Sequence, residues 1–121
     1  SSWFSGSLVT YSNELKEIVG VEKEILEKYG AVSKNAAAAM SLATLKLTKS
    51  DLCLSITGIA GPAGGSEEKP VGTVYFSYLD KYGLNFQDKC FFEGSRSEIR
   101  QLAAEKGIQI ILDCVSEIKT Q

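Results

Sequence analysis

A tyrosine and a lysine near the start of the chain could together carry out proton-transfer chemistry. Tyr11 and Lys16 lie in the run Val9-Thr10-Tyr11-Ser12-Asn13-Glu14-Leu15-Lys16. Serine and asparagine are favoured N-caps, so Ser12 or Asn13 predicts a helix that carries Lys16 in its opening turns, preceded by a strand that ends near Tyr11. Open α/β sheets bind ligands in crevices at strand ends, so hydroxyl, amide and amine groups are expected at one rim of the sheet.

The position of Lys16 in that helix favours its neutral form. The N-terminus of a helix carries partial positive charge, and partial burial also disfavours an ammonium ion. A neutral amine can serve as the general base for a serine hydroxyl, as in the Ser-Lys variants of the catalytic triad. In the alternative interpretation Lys16 is an ordinary solvated lysine paired with Glu14 or Glu17, and Tyr11 is a core residue.

A glycine-rich loop, Gly58 to Pro70, is the second candidate for chemistry. It follows the apolar run Leu52–Thr57, which is typical of a buried strand. The loop has neither the Gly-Lys-Ser/Thr ending of a Walker loop nor the glycine spacing of a dinucleotide fingerprint. Its glycines could let main-chain N–H groups approach a ligand or form an anion-binding nest, and the alternative is an ordinary flexible loop. The loop glycines in question are Gly58, Gly61, Gly64 and Gly65.

Two arginines open the last predicted helix, in the run Gly94-Ser95-Arg96-Ser97-Glu98-Ile99-Arg100. An arginine at a helix N-terminus opposes the helix dipole, so its presence needs another reason. The planar guanidinium of Arg96 or Arg100 suits a phosphate group. The alternative is a surface arginine paired with Glu98 or Glu93.

The remaining sequence predicts the elements that hold these segments. Strands alternate with helices and an antiparallel pair follows, which favours an α/β three-layer α/β/α sandwich with a mixed, mostly parallel sheet, formed by residues 1–121 as one domain. Gly20, Gly30 and Ser33 mark helix ends and starts. The predicted strands are Trp3–Thr10, Leu52–Thr57, Val71–Leu79 and Leu84–Phe92, and the predicted helices run from Ser12 or Asn13 to Gly20, over Glu22–Tyr29, from Ser33 to about Leu47, and from Ser95 or Ser97 to about Ile118.

Composition excludes several classes of protein and of site. The chain has 121 residues, a net charge of −2 and no histidine. A broad nucleic-acid or membrane footprint is therefore not expected, and a Ser-His-Asp or Cys-His mechanism cannot come from this chain alone. Cys53, Cys90 and Cys114 are widely spaced, so we expect free thiols, no metal site and a reducing cytoplasm.

Three segments together resemble one family closely. The runs VTYSNELK, TGIAGPAGGSEEKPVGTVYF and GSRSEIR occur in the order found in the C-terminal domain of competence/damage-inducible CinA proteins, and GVEKEILEKYGAVS between them is similar to the same family. The resemblance covers essentially the whole chain. Standalone copies of this domain are nicotinamide-nucleotide amidases, which hydrolyse nicotinamide mononucleotide to nicotinate mononucleotide and ammonia in pyridine nucleotide recycling. The resemblance therefore implies a small-molecule nucleotide substrate and no cofactor.

The resemblance also implies roles for individual residues. The family uses a serine nucleophile, a lysine base and an orienting tyrosine, and Lys16 and Tyr11 stand at the matching lysine and tyrosine. Ser12 and Asn13 lie beside them in the same motif and are expected at the substrate. Thr57 and the loop glycines match the substrate-facing loop, and Arg96 and Arg100 match the basic positions before the last helix. We expect Tyr11, Lys16 and Thr57 to converge on one pocket.

One part of the family pattern does not occur in residues 1–121. The family's nucleophile lies in an ESCTGG segment. The residues SSWF at the start of this sequence match the family just after that segment, and no SCTGG occurs in residues 1–121. The first strand–helix unit of the domain would go with that segment. We therefore expect no appreciable turnover from residues 1–121 alone, and an exposed sheet edge that another copy could cover, giving a homo-oligomer. The alternatives to an amidase are an inactive nucleotide-binding module and an oligomerisation domain.

Overall fold

The computed structural model describes residues 2–119, which form a mixed α/β structure of four helices and a three-stranded sheet. Each element begins and ends within a few residues of its predicted position. In chain order the elements are α1 (Asn13–Val19), α2 (Lys23–Tyr29), α3 (Lys34–Thr48), β1 (Leu52–Gly58), β2 (Thr73–Asp80), β3 (Asn85–Phe91) and α4 (Arg96–Lys119).

Serine caps and glycine stops set the helix ends, as the sequence predicts. The Ser12 hydroxyl accepts a hydrogen bond from the amide of Leu15, and the Ser33 hydroxyl accepts one from the amide of Ala36. Both bonds satisfy donors that the first turn of a helix leaves unpaired. Gly20 ends α1 with φ of 120°, and Gly30 ends α2 with φ of 83°.

The sheet is antiparallel throughout the described residues, so the predicted mostly parallel sheet is wrong. The strand order is β1-β2-β3, with Leu52 opposite Asp80 in the first pair and Thr73 opposite Phe91 in the second. A parallel neighbour requires a crossover, usually through a helix. Residues 59–72 contain no helix and turn directly back, so β2 runs antiparallel to β1.

The predicted strand Trp3–Thr10 is also absent, because the segment is irregular up to the cap of α1. Most of its side chains are exposed, with Trp3 at 86% and Val9 at 64% of full exposure. Strand preference in a sequence measures how well side chains fit a pleated, half-buried surface. The pattern of this segment is suited to a strand, but no strand within residues 2–119 pairs with it.

The two long helices pack against opposite faces of the sheet. The Ser55 hydroxyl of β1 donates to the carbonyl of Ala37 in α3, whereas a Cβ at Gly107 in α4 would lie 3.0 Å from Leu54. Alternate residues of a strand point to opposite faces, so α3 and α4 lie on different sides. The core on the α4 side consists of Val74, Phe76, Tyr78, Ile99, Ala103, Ile110 and Cys114.

The cysteines are free, as predicted, with Cys114 buried and Cys53 and Cys90 half-buried. A smaller apolar cluster of Val21, Leu26 and Ala36 joins α2 and α3. None of the helices in residues 2–119 combines the length and the apolar character needed to cross a lipid bilayer.

Candidate active site

Helix α1 places Lys16 in the interior rather than in solvent. The side chain of Lys16 is 5% exposed. Its Nζ donates to the carbonyl oxygen of Thr10 at 2.5 Å and lies 3.5 Å from the carbonyl oxygen of Tyr11. The interpretation of Lys16 as a solvated lysine paired with Glu14 or Glu17 is therefore wrong.

Burial lowers the pKa of the Lys16 ammonium from its ordinary value. The cause is desolvation, because a charged amine loses more hydration than a neutral one when it enters the protein. The two carbonyl oxygens compensate the charge in part, since both accept hydrogen bonds from it. The lowered pKa makes the neutral amine, the form that a general base requires, easier to reach than in an exposed lysine.

Tyr11, Ser12 and Asn13 lead from the acceptors of the Lys16 ammonium into helix α1, in which Asn13 is the first residue. The Tyr11 ring is 86% exposed, so its hydroxyl is accessible to a ligand. Ser12 uses its oxygen to cap the helix, accepting from the Leu15 amide at 3.0 Å. Asn13, the first residue of α1, is exposed. Tyr11 and Lys16 meet through the main-chain carbonyl of Tyr11, and their direct cooperation stays a prediction.

The glycines of the loop let the chain fold back tightly on itself. A Cβ at Gly58 would lie 2.8 Å from the Thr73 oxygen, and one at Gly65 would lie 2.6 Å from the Val71 nitrogen. Gly61 and Gly64 adopt φ of 81° and 99°, which side-chain-bearing residues rarely adopt. Close packing against Val71 and Thr73 accounts for Gly58, Gly61 and Gly65, and the positive φ accounts for Gly64. A ligand-binding nest stays a prediction.

Arg96 contacts this loop directly. Its Nη1 donates to the carbonyl oxygen of Gly61 at 2.9 Å, which joins two predicted site residues. The helix N-terminus beside it is already capped, because the Ser95 hydroxyl accepts from the Glu98 amide and a Glu98 carboxylate oxygen accepts from the Ser95 amide. The bond from the Ser95 amide stabilises the charged carboxylate and lowers the pKa of Glu98. A carboxylate therefore already accepts from an amide at this helix N-terminus, and Arg100, one turn further on, is exposed.

Thr57 is committed to a main-chain partner. It is buried, and its hydroxyl donates to the carbonyl of Ala31 in the connection between α2 and α3 at 2.8 Å. Within residues 2–119 no hydrogen bond links Thr57 with Lys16, whose ammonium turns to the N-terminal segment. The convergence of Tyr11, Lys16 and Thr57 on one pocket stays a prediction.

Lys69 is a residue of this region that the sequence did not single out. Its Nζ donates to the carbonyl oxygens of Tyr29 and Val32, at 3.0 and 2.5 Å. The available signal was a lone cation at the end of an otherwise cation-free loop. Its partners could not have been found, because they lie about forty residues away in sequence and are main-chain atoms.

Two clefts lie outside the glycine loop. One of 1080 Å³ runs between the N-terminal segment and β1 and includes Thr10, the acceptor of the Lys16 ammonium. Another of 690 Å³ lies along α3, beside Glu22 and Lys46. Across residues 2–119, no three Cys, Asp or Glu side chains lie close enough together to hold a metal ion.

Comparison with known proteins identifies the family pattern. The sequence-family model of the CinA C-terminal domain matches residues 1–115. The nicotinamide-nucleotide amidohydrolase PncC of Escherichia coli K12 is 43% identical over 112 residues, which is 92% of this chain and 68% of that protein. A CinA-like protein of Petrotoga mobilis is 47% identical over 116 residues, but the match is only 28% of its length.

Solved structures of similar proteins share this fold. A competence/damage-inducible protein from Agrobacterium tumefaciens superimposes with a TM-score of 0.82 at 33% identity, covering 86% of this chain and 64% of that one. A CinA superfamily protein from Escherichia coli gives 0.80 at 33% identity, covering 85% and 60%. The chain thus spans less than two thirds of the length of both solved relatives.

Proposed function

This chain belongs to the CinA C-terminal domain family, and from that premise we propose that it is the greater part of a nicotinamide-nucleotide amidase. The reaction is the hydrolysis of nicotinamide mononucleotide to nicotinate mononucleotide and ammonia. The buried Lys16, with its lowered pKa, carries the proposal, because a base of this kind is what amide hydrolysis without histidine needs. The name of the related amidohydrolase in Escherichia coli supports the choice of substrate.

In the proposed mechanism Lys16 moves the protons. As a neutral amine it accepts the proton of a serine hydroxyl, which belongs to the SCTGG-type segment of the family, while the serine oxygen attacks the amide carbon. The resulting tetrahedral intermediate collapses, the carbon–nitrogen bond breaks, and Lys16 returns the proton to the departing ammonia. Water then attacks the ester carbon while Lys16 takes one of its protons. The bond between that carbon and the serine oxygen breaks, nicotinate mononucleotide leaves, and Lys16 returns the proton to the serine oxygen. The exposed Tyr11 is placed to orient the hydroxyl or the substrate.

The loop and Arg100 would hold the nucleotide in this proposal. Main-chain N–H groups of the Gly58–Pro70 loop are the candidates for stabilising the oxyanion of the intermediate. Arg100 is exposed near the loop anchor Arg96 and is the better placed of the two arginines for a phosphate, because Arg96 already binds Gly61. We further propose that residues 1–121 belong to one domain, that the complete domain is a three-layer sandwich, and that the protein is cytoplasmic.

Ammonia release from nicotinamide mononucleotide tests the proposal with two proteins: residues 1–121, and the same chain with the family's upstream serine segment joined to it. We expect turnover only from the longer protein, because loss of the nucleophile from a triad-type enzyme lowers turnover by about a millionfold. Comparable rates for both would place the nucleophile within residues 1–121. No activity in the longer protein would contradict the amidase proposal.

A second candidate, an oligomerisation module, is favoured by one observation. The outer edge of β1 is unpaired within residues 2–119, and exposed apolar side chains lie in the adjacent N-terminal segment. An inactive nucleotide-binding module is distinguished from both by nucleotide binding without ammonia release.

A further inference from the structure

The connection between α2 and α3 has an unusual hydrogen-bonding arrangement. The carbonyl groups of four consecutive residues, from Tyr29 at the end of α2 to Val32 in the connection, all accept hydrogen bonds from side chains. We call these four residues the Tyr29–Val32 connection. Ser33 donates to Gly30 at 2.8 Å and Thr57 to Ala31 at 2.8 Å. Lys69 donates to both Tyr29 and Val32. Three of the four bonds therefore come from β1 and the glycine loop, so the connection and the loop form one hydrogen-bonded unit.

The loop holds Lys69 in position for these contacts. The Ser66 amide donates to the Lys69 carbonyl at 2.9 Å, and the Lys69 amide donates to the Ser66 hydroxyl at 3.1 Å, which closes a tight turn. The ammonium lies beside Gly30, where a Cβ would be 3.8 Å from Nζ, an ordinary contact distance. Hydrogen bonds from a charged donor are roughly twice as strong as neutral ones. A half-buried ammonium between two carbonyl oxygens is thus a strong contact in this region.

The loop is fastened at two separate points. Arg96 of α4 binds the Gly61 carbonyl near its beginning, and Lys69 binds the Tyr29–Val32 connection near its end. The residues between, 62–68, are exposed. The conformation of this exposed stretch therefore depends on two cationic anchors that reach different helices.

We propose that Lys69 is a positioning residue: its ammonium fixes the end of the Gly58–Pro70 loop against the Tyr29–Val32 connection, and nucleotide affinity depends on the loop being held there. The second half of this statement rests on the proposed amidase function, whereas the first half does not. Lys69 would act through the loop, because two of its three N–H donors are already committed to main-chain oxygens.

Hydrogen exchange in residues 1–121, without any substrate, tests whether the Lys69 ammonium holds the end of the loop against the Tyr29–Val32 connection. We call this contact the clamp. Lys69→Met removes the ammonium and keeps an unbranched side chain, Lys69→Arg keeps the charge, and Lys34→Met removes an exposed lysine at the start of α3 as a control. The hydrogen-bonded amides of Ser66 and Lys69, which close the turn at the end of the loop, should exchange roughly tenfold faster in the Met variant, the effect of losing one hydrogen bond to a charged group. The Arg variant should restore most of the protection. Equal exchange in Lys69→Met and Lys34→Met would overturn the clamp.

Steady-state kinetics of the protein that carries the upstream serine segment measure the link to the site. Lys69→Met should raise KM for nicotinamide mononucleotide about tenfold with little change in kcat, the pattern of lost ground-state binding, and Lys69→Arg should restore it. An unchanged KM beside faster loop exchange would overturn the role in affinity. If the unsubstituted protein has no activity, the amidase proposal fails, while the exchange experiment still decides the clamp.

Discussion

At the scale of single residues, the burial of Lys16 is the feature that most constrains the chemistry. A lysine that is 5% exposed gives up most of its hydration, which costs free energy unless other groups replace the water. The carbonyl oxygens of Thr10 and Tyr11 do so in part. A lysine that served only as a surface charge would gain no function from burial. A general base does, because burial lowers its pKa and so favours the neutral form.

The titration of Lys16 is our first prediction. In residues 1–121, the Cε chemical shift of Lys16 should titrate below the ordinary lysine value of about 10.4, because burial lowers its pKa. Between the lowered and the ordinary value the unfolded chain binds more protons, so the free energy of unfolding should increase with pH there. A midpoint at or above the ordinary value would contradict the assignment.

The same property predicts the kinetics of the protein with the upstream serine segment. The rate should rise with pH through the lowered pKa, since only the neutral amine can accept the serine proton. Lys16→Arg places a permanently charged group there and should lower kcat by about 10²- to 10⁴-fold, the usual contribution of a general base. Lys23→Arg, on the exposed face of α2, is the control and should leave kcat unchanged.

The sequence predicts single residues well where the signal is local, and poorly where the partner is distant. Ser12 and Ser33 were predicted as caps because an N-cap bonds to residues two or three positions ahead. The contact of Arg96 with Gly61 spans 35 residues and ends on a carbonyl, so nothing in the pattern indicated it. The same holds for Lys69. Main-chain acceptors are present at every position, and only the fold selects which one a side chain reaches.

At the scale of the elements, the turn that leads into β2 depends on close main-chain approach. Gly72 lies between the glycine loop and β2, and its φ is 102°. A Cβ at this position would overlap the carbonyl oxygen of Phe92, just beyond β3. Gly83, in the hairpin between β2 and β3, has nearly the same φ of 100° but open space around it. A comparison of Gly72 with Gly83 therefore distinguishes the cost of backbone strain, which both share, from the cost of steric overlap, which only Gly72 has.

Alanine substitutions at these two glycines give the second prediction. Gly83→Ala should lower the free energy of unfolding by about 1 kcal/mol, the cost of a left-handed conformation for a residue with a Cβ. Gly72→Ala should cost roughly 1–3 kcal/mol more, because it also overpacks the backbone. Urea denaturation of both variants measures the difference. Equal losses would show that the chain relaxes around Gly72 without strain.

The third prediction concerns the reciprocal cap of α4. Ser95→Ala should lower the free energy of unfolding by about 1 kcal/mol, since the Glu98 amide loses its acceptor. Glu98→Gln should also destabilise the protein at neutral pH, because the charged carboxylate accepts from the Ser95 amide. The pKa of Glu98 is lowered, so its contribution is present above the ordinary carboxyl pKa and lost as the pH falls through the lowered one.

Denaturation at neutral and acidic pH checks this cap, with Ser97→Ala as the control inside the same helix. The difference between the parent chain and Glu98→Gln should shrink on acidification, while the Ser97→Ala variant should follow the parent chain. A Glu98→Gln deficit that persists at acidic pH would rule out the charged cap.

The elements themselves were largely predictable, whereas the direction of pairing was not. Glycines and capping serines mark the helices, and apolar runs mark β1 and β2, so their positions follow from local patterns. Whether β2 runs parallel or antiparallel to β1 depends on the path of residues 59–72, which carry no periodic pattern. The segment Trp3–Thr10 has the composition of a strand, but a strand also requires a neighbour, which composition does not supply.

At the scale of the whole molecule, one side of the sheet is incomplete within residues 2–119. Strand β1 pairs only with β2, and its other edge faces the cleft of 1080 Å³ lined by the N-terminal segment, Met40 and Ile111. The strand contains no charged residue and no proline, the usual protections of a sheet edge. Exposed Trp3 and Phe4, whose rings lie 5.9 Å apart, add apolar surface beside it.

The fourth prediction follows from this surface: residues 1–121 should associate with themselves as concentration rises. An unprotected edge beside exposed apolar side chains favours pairing with another chain. In sedimentation equilibrium the apparent mass should exceed that of one 13.1 kDa chain at high concentration. Replacing Trp3 and Phe4 together by serine should weaken association, whereas Tyr82→Ser, which removes an exposed aromatic from the β2–β3 hairpin, should not. A protein that stays monomeric over the whole concentration range would show that the N-terminal segment already shields β1, and would remove the observation that favours the oligomerisation module.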